Sequence, residues 1–190
     1  MTTLARIPRR AGYTTDGRAL LLTHRVWGWR RARRLHHTQY YLTMLAGLGI
    51  TGGSGRLHLC CTAEERAWAG QRLGDGFWVA VNPGATYGSA KRWPPERFAA
   101  AADLIAADFS ARILILGGPN EAAIGREVAA GMHTQPLNLA GRTSVRELMA
   151  LLSQCRLLVT NDSGPMHVAA AFDVPIVAIF GSTDHTTTSP

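Results

Sequence analysis

From Phe77 onward, short and continuously apolar runs alternate with longer amphipathic stretches, and no other feature of the sequence restricts the fold as strongly. Residues 77–81, 112–116, 136–139, 157–160 and 175–180 read as strands, rich in Val, Ile and Leu. Strands that are apolar on both sides need both sides covered. The intervening stretches supply the cover. Phe98, Ala101, Ala102, Ile105 and Phe109 recur at the i, i+3, i+4 spacing of a helix face, and Pro94 and Pro95 stand where a helix opens. Further helices are predicted from the Gly117–Asn120 turn to about Met132, over 144–154, and over 164–172. Ser144 is the expected N-cap of the second of these, with Glu147 completing a capping box. Strand and helix in alternation predict an α/β fold, a Rossmann-like parallel sheet with helices on both faces.

Residues 1–76 follow no such rhythm. Residues 19–23 suggest a strand, 38–48 a helix, 50–55 a glycine-rich linker, 57–61 a strand, and 63–73 a helix capped by Thr62. The expected organisation is a remnant of one domain over 1–50, a linker and entry over 51–76, and a Rossmann-like domain over 77–190.

The formal charge of +7 is unevenly placed. Residues 1–34 hold nine arginines against Asp16 alone, whereas 35–190 hold 11 basic and 12 acidic groups. The basic character therefore belongs to one segment. Clustered arginine is the footprint of phosphate contact, but no nucleic-acid module surrounds it, so an acidic substrate or an anionic membrane surface is the expected counterpart, and no nucleic acid. Cys60, Cys61 and Cys155 form neither a C-x-x-C pair nor an even ladder, which suggests a reducing, cytoplasmic setting. The first ten residues lack the apolar run of a signal peptide, and no stretch approaches the roughly 20 apolar residues that span a bilayer.

Three polar clusters fall at expected carboxyl ends of strands, where open parallel sheets bind ligands. The first runs from Asn82 to Trp93. Gly84 and Gly88 allow close backbone approach, Thr86 offers a hydroxyl, and Lys91 sets a cation before a helix N-terminus. Neither a Walker A loop nor G-x-G-x-x-G is present. The second, Gly117-Gly-Pro-Asn-Glu121, presents a carboxylate suited to a ribose diol. In the third, Thr160-Asn-Asp-Ser-Gly-Pro-Met-His167, Asp162 or Ser163 caps a helix. Together with Gly164 and His167 they gather a carboxylate, a hydroxyl, bare N–H groups and an imidazole. Asp162, Ser163 and His167 lie too close in sequence for a hydrolase triad. No H-x-x-x-H and no D-x-D occurs, so no metal is expected.

In this order, the clusters resemble those of the ADP-heptose–lipopolysaccharide heptosyltransferases, glycosyltransferase family 9, and among them heptosyltransferase II. The resemblance is carried by Pro83-Gly-Ala-Thr-Tyr-Gly-Ser-Ala-Lys-Arg-Trp-Pro94, Leu139-Ala-Gly-Arg-Thr143, Asn161-Asp-Ser-Gly-Pro-Met-His-Val-Ala-Ala-Ala171 and Phe180-Gly-Ser-Thr-Asp184. It continues upstream in Arg10-Ala-Gly-Tyr-Thr-Thr-Asp-Gly-Arg18 and Leu20-Leu-Leu-Thr23. It implies the donor-binding C-terminal half of a GT-B architecture and an inverting, metal-independent transfer of heptose from ADP-heptose to the lipopolysaccharide inner core. No cofactor is implied. By match, Thr86 and Lys91 contact the diphosphate, with Lys91 stabilising the leaving group, and Glu121 contacts the ribose. Asp162, Ser163, Gly164 and His167 hold phosphate and heptose, and Asp184 the sugar. The family's general base, a carboxylate of the N-terminal domain, has no equivalent in Asp16 or elsewhere in the chain, which looks truncated at both ends. The implied setting is the cytoplasm, at the cytosolic face of the inner membrane. The alternatives are an inactive nucleotide-binding fragment and a GT-B transferase using another nucleotide sugar.

Overall fold

The computed structural model describes residues 5–85 and 92–190. The chain divides into two compact units, Met1–Arg56 with Asp184–Ser189, and Leu57–Thr183.

In the first unit, β1 (Ala11–Tyr13) and β2 (His24–Val26) pair in parallel, Ala11 opposite His24 and Tyr13 opposite Val26. Helices α1 (Trp29–Ala32) and α2 (His37–Ala46) follow. Tyr13, Val26 and Ala32 form a small core, with Trp29, Tyr40, Met44 and Leu48 packed against it. The Tyr13 hydroxyl donates to the Tyr40 carbonyl at 3.1 Å, which satisfies the one polar atom of a fully buried ring. The strand expected over 19–23 does not form. Residues Arg18–Leu21 make a 3-10 turn instead, and Leu20 is 87% exposed, so that apolar run has no face to bury.

The second unit opens with α3 (Ala63–Leu73), whose Thr62–Glu65 capping box satisfies two backbone donors. Its elements continue as β3 (Trp78–Asn82), α4 (Pro95–Phe109), β4 (Arg112–Ile115), α5 (Ala122–Gly131), β5 (Leu137–Asn138), α6 (Val145–Leu152), β6 (Leu157–Asn161), α7 (Gly164–Ala170) and β7 (Ile176–Ile179). A final turn of helix, α8 (His185–Thr188), belongs to the first unit. The strand expected over 57–61 is absent; no partner strand is recorded there, although Leu59 and Cys61 pack into the core. Ser144 and Glu147 form the expected box at the start of α6.

The sheet is wholly parallel, in the order β5-β4-β3-β6-β7. Side chains alternate across it. Trp78 and Ala80 join Leu114 and Leu158 on one face, under α3, α6 and α7. Val79 and Val81 join Ile113, Ile115 and Val159 on the other, under α4 and α5. Phe98, Leu114 and Leu158 are each at most 1% exposed, and burying such a side chain contributes about 1.5–3 kcal/mol. Glu65 also accepts a two-point guanidinium contact from Arg146, at 2.6 and 2.5 Å, which joins α3 to α6. Strand β3 is first in sequence yet central in space. The chain leaves it toward β4 on one side and returns to β6 on the other, so the carboxyl ends of β3 and β6 form the topological switch point, where sheets of this kind bind ligands.

Candidate functional site

The strands that flank this switch point end in amides. Asn82 closes β3, Thr160 and Asn161 close β6, and all three are at most 1% exposed. A buried polar side chain at an apolar strand end costs stability unless it is bonded, and these are bonded to one another and to the loops. Asn82 Nδ2 donates to Ser163 Oγ at 3.0 Å and to Thr160 Oγ1 at 3.2 Å. Asn161 Nδ2 donates to the Pro83 carbonyl at 2.8 Å, while its Oδ1 accepts the Trp93 N–H at 3.0 Å. One side chain therefore joins residue 83 to residue 93, the two ends of the segment that carries Thr86 and Lys91. Those two residues lie outside the described ones. On its far stem, Arg92 donates to the Ala85 carbonyl at 3.1 Å.

Glu121 comes from the next strand over. A 3-10 turn, Pro119–Glu121, follows β4, and the carboxylate bends back to accept the Gly118 N–H at 2.7 Å. It lies directly over Gly84. A Cβ on that glycine would stand 2.1 Å from Glu121 Cδ, so the position admits no side chain while the carboxylate stays where it is. Gly141 is confined in a similar way, with a φ of 76° and Ala122 Cβ 2.9 Å from where its own Cβ would be. That fixes the Leu139–Thr143 segment against the start of α5.

The third cluster departs from expectation in one detail. Ser163 takes the N-cap position of α7 but makes no capping bond. Its hydroxyl is turned to Asn82 and to Thr160 Oγ1, the latter at 3.1 Å. The buried Asn82 amide outcompetes the helix end for it. Asp162 Oδ2 accepts the Thr183 hydroxyl at 2.7 Å, and the Asp162 N–H reaches the Ile179 carbonyl, binding the loops after β6 and β7 together. His167 lies within α7 and is exposed. Asp184 belongs to the other compact unit, where it caps α8 through the Thr186 N–H and hydroxyl. Those Thr186 bonds hold its carboxyl below the usual range.

The stems of the first cluster thus touch both others, through Gly84 against Glu121 and through Asn82 against Ser163. Neither Asn82 nor Asn161 was given a role from sequence. The available signal was an amide closing an otherwise apolar strand. Asn82 Oδ1 remains buried with no partner among the described residues. Among those residues no group of three His, Cys, Asp or Glu could hold a metal ion. Carboxylate, hydroxyls and tightly turned backbone at a switch point form a place where the hydroxyls and phosphates of a nucleotide can be bonded.

A family model described as glycosyltransferase family 9 (heptosyltransferase) matches residues 1–190. Lipooligosaccharide heptosyltransferase 2 of Campylobacter jejuni subsp. jejuni serotype O:2 is 42% identical over 118 residues, covering 59% of this chain and 36% of that protein. Among solved structures, the glycosyl transferase family 9 protein of Veillonella parvula superposes with a TM-score of 0.79 at 31% identity, over 91% of this chain and 51% of the other. The E. coli ADP-heptose lps heptosyltransferase II superposes at 0.77 and 27% identity, over 100% of this chain and 61% of the other. The chain spans about a third of the length of the curated relatives it matches.

Proposed function

The chain belongs to glycosyltransferase family 9, and from that premise we propose that it holds the nucleotide-sugar donor, ADP-heptose, for transfer of heptose to the lipopolysaccharide inner core. The observation that carries this reading is the convergence of Gly84, Glu121 and Ser163 at the β3–β6 switch point. A ribose diol would bond the Glu121 carboxylate. The diphosphate would lie between the Thr86–Lys91 segment and the backbone at Gly164, with Asp162 and His167 toward the heptose.

In an inverting transfer, an acceptor hydroxyl attacks the anomeric carbon while the bond to the β-phosphate breaks. The electron pair leaves with ADP, and the hydroxyl proton passes to a base. This chain's part is to hold the donor and to stabilise the departing diphosphate. A lysine positioned before reaction does this without reorganising as charge develops. The proton-accepting carboxylate is assigned to the family's N-terminal domain. Among the described residues no helix is long and apolar enough to cross a membrane, and peripheral work at the cytosolic face of the inner membrane fits the arginine-rich segment.

Equilibrium titration of the folded chain with ADP tests the reading. Saturable binding is expected, with UDP competing poorly. No binding at millimolar ADP would reject it, and equal competition by UDP would return the donor to another nucleotide sugar. A second reading is a nucleotide-binding module without turnover. Transfer of heptose to the acceptor, measured with donor and acceptor present, separates the two.

A further inference from the structure

The arginines of the first unit fall into two groups. Arg10, Arg18 and Arg25 spend their guanidinium groups on backbone carbonyls, those of Leu21, Tyr13 and Ala19 among them. They are part of the scaffold. The guanidinium groups of Arg30, Arg31, Arg33 and Arg34 bond to no carbonyl and pair with no carboxylate among the described residues. The unit has only Asp16 and Asp184 to offset them.

Three of these four cations face one space. Trp29, Arg30, Arg33 and Arg34 line a hollow of about 400 Å³. Its floor is anchored, because Trp29 packs against the Tyr13–Val26–Ala32 core. The guanidinium carbons of Arg30 and Arg33 each stand 5.6 Å from the Trp29 ring centre, within cation–π range. The indole thus collects two cations on a rigid platform. Like charges three and four residues apart on a helix repel one another, and here no carboxylate among the described residues offsets that repulsion. A guanidinium fork matches the oxygens of a phosphate group in two-point fashion, and two or three forks around one hollow match a phosphate ester better than they match a single carboxylate.

We propose that the Trp29–Arg30–Arg33–Arg34 hollow is a binding site for a phosphate-bearing anionic group. Its residues all lie in the first unit, whereas Gly84, Glu121 and Ser163 lie in the second. Two sources share this chemistry, a phosphorylated small molecule or sugar and the headgroup of an anionic lipid.

The test is heteronuclear NMR on the full chain, with the Trp29 indole N–H as reporter of the hollow and the Gly118 and Gly164 amides as reporters of the β3–β6 switch point. Inorganic pyrophosphate is the first probe, and phosphatidylcholine vesicles with a minority of phosphatidic acid are the second. The expected result is a saturable shift of the Trp29 signal with one or both probes, weakened about tenfold or more in Arg30→Ala/Arg33→Ala. In Arg6→Ala/Arg9→Ala, which removes the same charge from the same unit, it should be nearly unchanged. Response to pyrophosphate assigns a soluble or sugar-borne phosphate, and response to vesicles alone assigns a lipid headgroup. An equal loss in both double variants means diffuse attraction and overturns the site. So does a Trp29 signal that stays still at roughly 10 mM pyrophosphate and with the phosphatidic acid vesicles. Silence at Gly118 and Gly164 with a response at Trp29 would count against the donor reading and leave this one standing.

Discussion

Gly84 and Glu121, 37 positions apart, occupy the same few ångströms: the carboxylate of one fills the space where a side chain on the other would be. The loop after β3 and the turn after β4 are therefore shaped for each other. Gly84→Ala should displace the carboxylate and break its bond to the Gly118 N–H. The expected stability cost is about 1–2 kcal/mol, because a flexible side chain can yield. If Glu121 holds the ribose, ADP affinity should fall with it. Calorimetric titration of Gly84→Ala and Glu121→Gln checks this, and undiminished affinity in both would remove Glu121 from the ribose.

Lys91→Ala tests the other end of the nucleotide. A charge-assisted contact to the diphosphate is worth about 1.5–3 kcal/mol, so the dissociation constant for ADP should rise by one to two orders of magnitude while urea unfolding stays unchanged. Unaltered affinity would make Lys91 an ordinary solvated loop residue.

Asn161→Ala should act on the fold first. It leaves the Trp93 N–H and the Pro83 carbonyl without their shared partner, and leaving such buried groups unsatisfied costs about 1–3 kcal/mol each. A drop in urea midpoint together with weaker ADP binding is expected, since both stems of the Thr86–Lys91 segment lose their anchor. A variant as stable as the parent would show that the stems hold without the amide.

Acid should loosen the α3–α6 contact. The Arg146 guanidinium, and then the Thr62 N–H, hold the Glu65 carboxyl below its ordinary 4.5. A depressed folded-state value means that the contribution is complete above about pH 4.5 and is lost as pH falls through the lower folded value. Glu65→Gln should therefore lower stability at pH 7 and reduce the further loss between pH 5 and pH 3. Parallel pH profiles for parent and variant would rule out this linkage.

The doubly wound sheet was legible because its strands are written as apolar runs, and residues such as Val79, Ile113 and Val159 have no use on a surface. Capping was legible too, at Ser144 and at Thr62, because the box is local. Residues 19–23 misled for a physical reason. Leu20 and Leu21 are apolar but exposed, and hydrophobicity alone does not say whether a covering layer exists. The positions of Glu121, Asp162 and Ser163 at strand ends followed from motif and topology. The bonds among Asn82, Asn161, Pro83 and Ser163 did not, since they close over 78 to 81 residues of separation. Nothing local distinguishes an amide that spans two loops from one that faces water.

The placement of β3 bears on how the molecule assembles during synthesis. Its partner on one side emerges after some thirty residues, but its partner on the other begins only at Leu157. Until the ribosome has released that second partner, one flank of the middle strand is bare and Asn82 has neither Thr160 nor Ser163 to bond. A nascent chain halted before this point would carry Thr86, Lys91 and Glu121 but neither the Asp162–His167 cluster nor the strand that sets it beside them.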